Sequence, residues 1–201
     1  MILGVAALAA FVLLAIAYRH DPLAGWDADV AVWVGGHLPA WVEWLARPFS
    51  WLGGWIGITL LTVSLSVLLL RERAWLDLGF LLTAVLGSQL LVALLKLWFD
   101  RPRPEVDPAV SLPSSTSFPS GHATAGVAAL GAAAVLVAER LPARARRGLW
   151  AVTLTAGLAV GLSRVALGVH YVTDVLAGWC LGLAWLAGCL IVRDAVRGRP
   201  T

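Results

Sequence analysis

Six apolar runs joined by short polar connections dominate the chain: Ile2–Tyr18, Trp51–Leu70, Ala74–Leu97, Gly121–Ala138, Leu149–Leu167 and Val172–Val192. Each approaches the roughly 20 apolar residues that a helix needs to cross a hydrocarbon core. No repeat, low-complexity tract or soluble linker domain interrupts them. The pattern predicts an all-α, polytopic membrane bundle of about six transmembrane helices, forming one domain over residues 1–201. The first run ends in Ala15-Ile16-Ala17, which is similar to a small-residue cleavage site, but no Lys or Arg precedes it. A retained helix is therefore expected.

The segment between the first two runs, Asp21–Ser50 with the start of the second, has a different character. It holds Trp26, Trp33, Trp41, Trp44, Trp51 and Trp55, more than half of the 11 tryptophans. Trp favours the membrane–water interface, where the ring lies in lipid and the N–H stays wet. Pro39 interrupts the segment, which predicts two short interfacial helices lying flat on the outer leaflet. They read first as an anchor, and second as a rim guiding a lipid headgroup.

Composition agrees with this pattern. The chain is 60% apolar and 13% charged, against roughly 45–50% and about 25% in soluble domains. A formal charge of +3 is too small and too scattered to suggest nucleic acid. Its placement is more informative. Arg71 and Arg73, then Arg140, Arg144, Arg146 and Arg147, then Arg193, Arg197 and Arg199 fall in short connections or the tail. The positive-inside bias puts these on the cytoplasmic side, together with both termini. Cys180 and Cys189 share the last run; nine residues of helix separate them by roughly 13 Å, too far for a disulfide.

The orientation leaves three polar segments at helix ends on one extracytoplasmic face. Lys96 to Pro104 closes the third span, Pro119-Ser120-Gly121-His122 opens the fourth, and Ser163-Arg164, His170 and Asp174 bridge the fifth and sixth. Lys96, Arg103 and Arg164 would gather three cations, with Arg offering planar donors suited to phosphate oxygens. Ser120 and Gly121 begin a helix, whose free N–H groups favour an anion. Such a site suits a tetrahedral oxyanion. His170 and Asp174 are four apart, on one face if the sixth helix includes both. A carboxylate on one ring nitrogen fixes the tautomer and leaves the other to attack. His122 then serves as general acid, and as base for the water that follows.

Lys96, six residues, Arg103-Pro104, then Pro119-Ser120-Gly121-His122, then Ser163-Arg164, five residues, His170, three residues and Asp174 resemble the motifs of the type 2 phosphatidic acid phosphatase family. That family shares a superfamily with vanadium haloperoxidases and bacterial acid phosphatases. The resemblance implies a phosphatase needing neither metal nor cofactor, with His170 as nucleophile, Asp174 assisting and His122 as acid. Lys96, Arg103, Ser120, Gly121 and Arg164 would bind the phosphate.

The expected function is hydrolysis of a lipid phosphate or pyrophosphate at the outer face of the cell membrane, through a phosphohistidine. Undecaprenyl pyrophosphate, phosphatidylglycerophosphate and phosphatidic acid are the candidates, with a cell-wall carrier favoured by small size and an outward site. The alternative is an anion or phosphate transporter or channel, and a third reading is a vanadate-dependent haloperoxidase. The expected partners are the lipid substrate and the bilayer. Elsewhere, Arg101 reads as a headgroup contact or an interface cap, and Asp100 as support for Arg103 or Lys96. Asp77 and Gln89 read as interhelical polar contacts, His20 and His37 as surface residues, and Glu139–Arg147 as a solvated loop.

Overall fold

A computed structural model describes residues 2–20, 23–110 and 115–198; Arg199 lies outside the described residues. The chain forms α1 (Ile2–His20), α2 (Ala24–His37), α3 (Ala40–Leu52), α4 (Trp55–Arg71), α5 (Trp75–Phe99), α6 (Gly121–Ala138), α7 (Ala143–Ala166) and α8 (Val172–Val196). No strand occurs among the described residues. Five helices (α1, α5, α6, α7 and α8) are long and apolar enough to cross a membrane alone, and α3 with α4 makes a sixth, bent candidate. The bundle is apolar on its outside: Leu86, Leu90, Leu94, Leu154, Leu183 and Val192 are all exposed. That is the surface of a protein solvated by lipid.

α6 is the central helix, packed on α5, α7 and α8. Its small residues allow this, with Ala123, Ala128 and Ala132 wholly inaccessible. α8 approaches it at two glycines: a Cβ on Gly178 would stand 2.7 Å from the Ser120 carbonyl oxygen, and one on Gly182 2.8 Å from that of Thr124. Small residues at crossings are how membrane helices come close enough to gain dispersion energy.

The two short helices occur on either side of Pro39, and α3 meets α4 at 41°, with Gly53 and Gly54 at the bend. Two expectations are corrected here. α7 starts at Ala143, because Pro142 takes an extended conformation just ahead of it. The solvated loop therefore shrinks to Glu139–Pro142, with Arg144, Arg146 and Arg147 on the helix. The tail arginines do more than orient the chain: Arg193 and Arg197 both pair with Asp77 and Glu139, and Arg193 is only 3% exposed. Buried charge in an apolar surround requires such partners. Asp77 is thus an interhelical contact, as its position in an apolar run implied.

Candidate active site

The end of α5, the start of α6, the end of α7 and the start of α8 meet at one end of the bundle, where the helix directions put Lys96, His122, Arg164 and Asp174. The Asp77–Arg193 pair closes the opposite end, about 28 Å away along α5 at 1.5 Å per residue. His170 does not share α8 with Asp174. It precedes the helix, and Asp174 reaches back as a cap, accepting the Tyr171 backbone N–H at 2.9 Å. The imidazole Nδ1 lies 3.3 Å from Asp174 Oδ2 and 3.3 Å from the Ser117 hydroxyl. The Ser117 hydroxyl donates to the same carboxylate oxygen. Asp174 is wholly inaccessible and His170 is 3% exposed. Burial is the main reason the His170 pKa falls to about 4, against the opposing pull of Asp174. The ring is therefore neutral at neutral pH.

Nε2 of His170 points the other way, with Nη1 of Arg103 at 3.4 Å. Arg103 is steadied by carbonyls: Nη1 donates to Val169 at 2.5 Å and Nε to Ser115 at 2.9 Å. Lys96 Nζ donates to the Thr116 carbonyl, and the Thr116 hydroxyl returns a bond to the Lys96 carbonyl at 3.1 Å. Arg164 sits 4% exposed inside the bundle, with Nη1 donating to Ser50 of α3. Its Nε is buried with no hydrogen-bond partner among the described residues. An orphaned guanidinium donor is costly in a dry interior and is relieved by an oxyanion. His122 lies within electrostatic reach of Arg164, His170, Arg103 and Lys96.

Ser120 caps α6, its hydroxyl facing the Ala123 N–H at 3.5 Å and its own N–H bonded to the Asp174 carbonyl at 3.0 Å. The amides of Gly121 and His122 follow, at the positive end of the helix dipole. The structure thus gathers His170, Asp174, His122, Lys96, Arg103, Arg164, Ser120 and Gly121 at one end.

The PAP2 superfamily matches residues 77–197, more than half of the chain. The chain belongs to the PAP2 superfamily. It is 40% identical over 108 residues to phosphatidylglycerophosphatase B of Bacillus subtilis, covering 52% of this chain and 53% of that protein. It is 31% identical over 139 residues to an undecaprenyl-diphosphatase of Sulfolobus acidocaldarius, covering 66% and 60% respectively. The matched regions are thus under two thirds of the length of these curated relatives. Over the whole chain, the fold is similar to the crystal structure of a transmembrane PAP2 type phosphatidylglycerolphosphate phosphatase from B. subtilis. The TM-score is 0.90 at 27% identity, with 98% of both chains covered. The chain is accordingly a multi-pass membrane protein.

Several residues at this PAP2 site escaped the sequence reading. Arg101 is neither a headgroup contact nor an interface cap. It is 5% exposed and donates to Asp174 Oδ1 at 2.6 Å and Asp27 Oδ2 at 2.8 Å. The tandem Arg-Pro pairs were its one visible signal. Asp27 is buried on α2, and its partner Thr173 is 146 residues away in sequence, so only an ionisable group in an apolar segment hinted at it. Asp100 supports neither Lys96 nor Arg103 through its side chain; it ends α5 at φ 45°, a left-handed position that Asp tolerates.

A cavity of about 630 Å³ opens beside His122 and Arg164, walled by Trp44, Trp51 and Trp55, with Arg47 at its edge. Half of the Trp-rich segment therefore borders the site. Trp26, Trp33 and Trp41 do not line that cavity and are exposed.

Proposed function

We propose that this chain is an integral membrane lipid phosphatase, a single domain acting through a phosphohistidine on His170. The observation that carries the reading is a buried imidazole. It is held from behind by Asp174 and faces a guanidinium through its free nitrogen.

The Nε2 lone pair attacks phosphorus as the bond from phosphorus to the lipid oxygen breaks. His122 supplies the proton to the departing oxygen. Positive charge grows on the His170 ring, and Asp174 stabilises it. Lys96, Arg103 and Arg164 balance the charge on the equatorial oxygens. The amides at the start of α6, with Ser120 and Gly121, complete the cradle. Water then attacks the phosphohistidine, giving its proton to His122, and inorganic phosphate leaves. Three cations around the phosphorus supply the charge stabilisation that a metal ion supplies elsewhere, and their own field disfavours a bound cation.

The tryptophan-walled cavity beside His122 is the space for the lipid tail, with the reaction at the membrane surface. Charge bias makes that surface extracytoplasmic and both termini cytoplasmic. The relatives include a phosphatidylglycerophosphatase and an undecaprenyl-diphosphatase, and the higher identity of the first makes phosphatidylglycerophosphate the substrate to test first. The transporter alternative gains nothing from these relatives. The test is a panel of phosphatidylglycerophosphate, undecaprenyl pyrophosphate and phosphatidic acid with purified protein in EDTA. Phosphate release that survives the chelator and is inhibited by vanadate is expected. Phosphate flux in vesicles without hydrolysis of any lipid would overturn the reading.

A further inference from the structure

Behind Asp174 lies a polar cluster larger than a histidine–carboxylate pair requires. One oxygen of Asp174 serves His170, Ser117 and the Tyr171 amide; among the described residues the other accepts from Arg101 alone. The guanidinium continues past Asp174, with Nη1 reaching the Thr173 hydroxyl at 2.8 Å and Nη2 reaching Asp27. Asp27 closes the circuit on α8, accepting the Thr173 N–H at 3.2 Å on Oδ1 and the Thr173 hydroxyl on Oδ2. The Arg101 guanidinium also stacks 4.1 Å over the Tyr171 ring. Asp27 is 1% exposed. Asp27 belongs to α2, outside the span that matches the superfamily.

We propose that Asp27 and Arg101 are positioning residues that set both the rotamer and the effective charge of Asp174 at His170. The inference rests on the phosphohistidine reading above. A planar fork clamped between two carboxylates cannot rotate, so the Asp174 oxygen it holds is fixed, and the second oxygen is aimed at the ring. The charge argument is separate. One guanidinium shared by two carboxylates leaves one net negative charge, and Asp174 is the carboxylate that faces His170. Without Asp27, the full field of Arg101 would fall on Asp174 and weaken its attraction for a charged ring. Without Arg101, Asp174 would act on the ring undiminished but unfixed. The other groups acting on His170 are Arg103 of the loop and Lys96 of α5. His122 of α6 lies close by, with Arg164 of α7 beside it. None of these touches Asp27.

The test uses the full chain in detergent, with phosphatidylglycerophosphate and a short-chain phosphatidic acid as substrates. Wild-type turnover and an inactive His170→Ala come first. If wild-type protein hydrolyses neither these lipids nor undecaprenyl pyrophosphate, the phosphatase reading itself fails, and this inference with it. Given turnover, Asp27→Asn lowers kcat about tenfold with KM within about twofold, because Asp27 touches no substrate. The acid limb of its pH profile moves to lower pH. Arg101→Gln moves that limb to higher pH, and Arg101→Lys restores it part-way. These opposite displacements are what a purely structural cluster would not produce. The double variant Asp27→Asn/Arg101→Gln removes the unpaired Asp27 charge and returns the cluster to its wild-type net charge, so its limb moves back from that of Arg101→Gln toward wild type. Folded variants with an unmoved limb and kcat within about twofold of wild type would reject the proposal while leaving the phosphatase reading intact. Loss of the fold in every variant, the double included, would assign the cluster to stability alone and reject it too.

Discussion

Nη1 of Arg103 lies 3.4 Å from Nε2 of His170, so a planar cation stands beside the ring nitrogen that Asp174 leaves free. A phosphoryl group attacked by that nitrogen would have the guanidinium against its oxygens. Arg103→Ala should lower kcat/KM about 10²–10³-fold, the usual loss of one charge-stabilising donor. Arg103→Lys should recover little, since a point charge cannot copy the fork. Steady-state kinetics on a lipid phosphate measure both.

Asp174 fixes His170 from behind, and that pairing gives a second expectation. Asp174→Asn should lower kcat by roughly 10³–10⁴-fold with folding retained, because the amide favours the wrong tautomer. The comparison of kcat at matched thermal stability checks it.

The folded pKa of His170, about 4 and set chiefly by burial, lies below its unfolded value near 6.5. Between these values the unfolded chain binds more protons, so stability must rise with pH across that window and fall as pH drops from about 6.5 to 4. Thermal unfolding of wild type in detergent should show this slope. His170→Asn should flatten it.

The positions of these residues separate what was legible from what was not. The spans were readable because lipid forces long apolar runs, and the cation, histidine and carboxylate positions were readable because their spacing is local within each motif. Arg101 lay in plain sight, yet its partner Asp27 is 74 residues away, and no periodicity links an α2 carboxylate to the start of α8. The spacing of His170 and Asp174 puts them on one helix face only if the last helix includes both; α8 starts at Val172, and Asp174 works as a cap. Asp77 is legible as an interhelical contact from its apolar run, but the Glu139 pairing with Arg193 is hidden, since charges near a helix end look solvated until the fold buries them.

The seam between α6 and α8 tolerates no side chain at Gly178, where a Cβ would meet the Ser120 carbonyl. Gly178→Val should cost about 1–3 kcal/mol of stability by overpacking, and should disturb the start of α6 and hence turnover. Gly188→Ala on the same helix meets nothing within 4 Å and should leave both unchanged. Paired melting and activity assays decide.

The central claim is a covalent bond between phosphorus and His170, and rapid quenching tests it most directly. Wild-type protein is mixed with a ³²P-labelled lipid phosphate, stopped in alkali within milliseconds, digested and mapped. The account predicts acid-labile, alkali-stable label on the peptide carrying His170, lost in His170→Ala. Label on another residue, or hydrolysis by wild type with no labelled protein at any time, would contradict it.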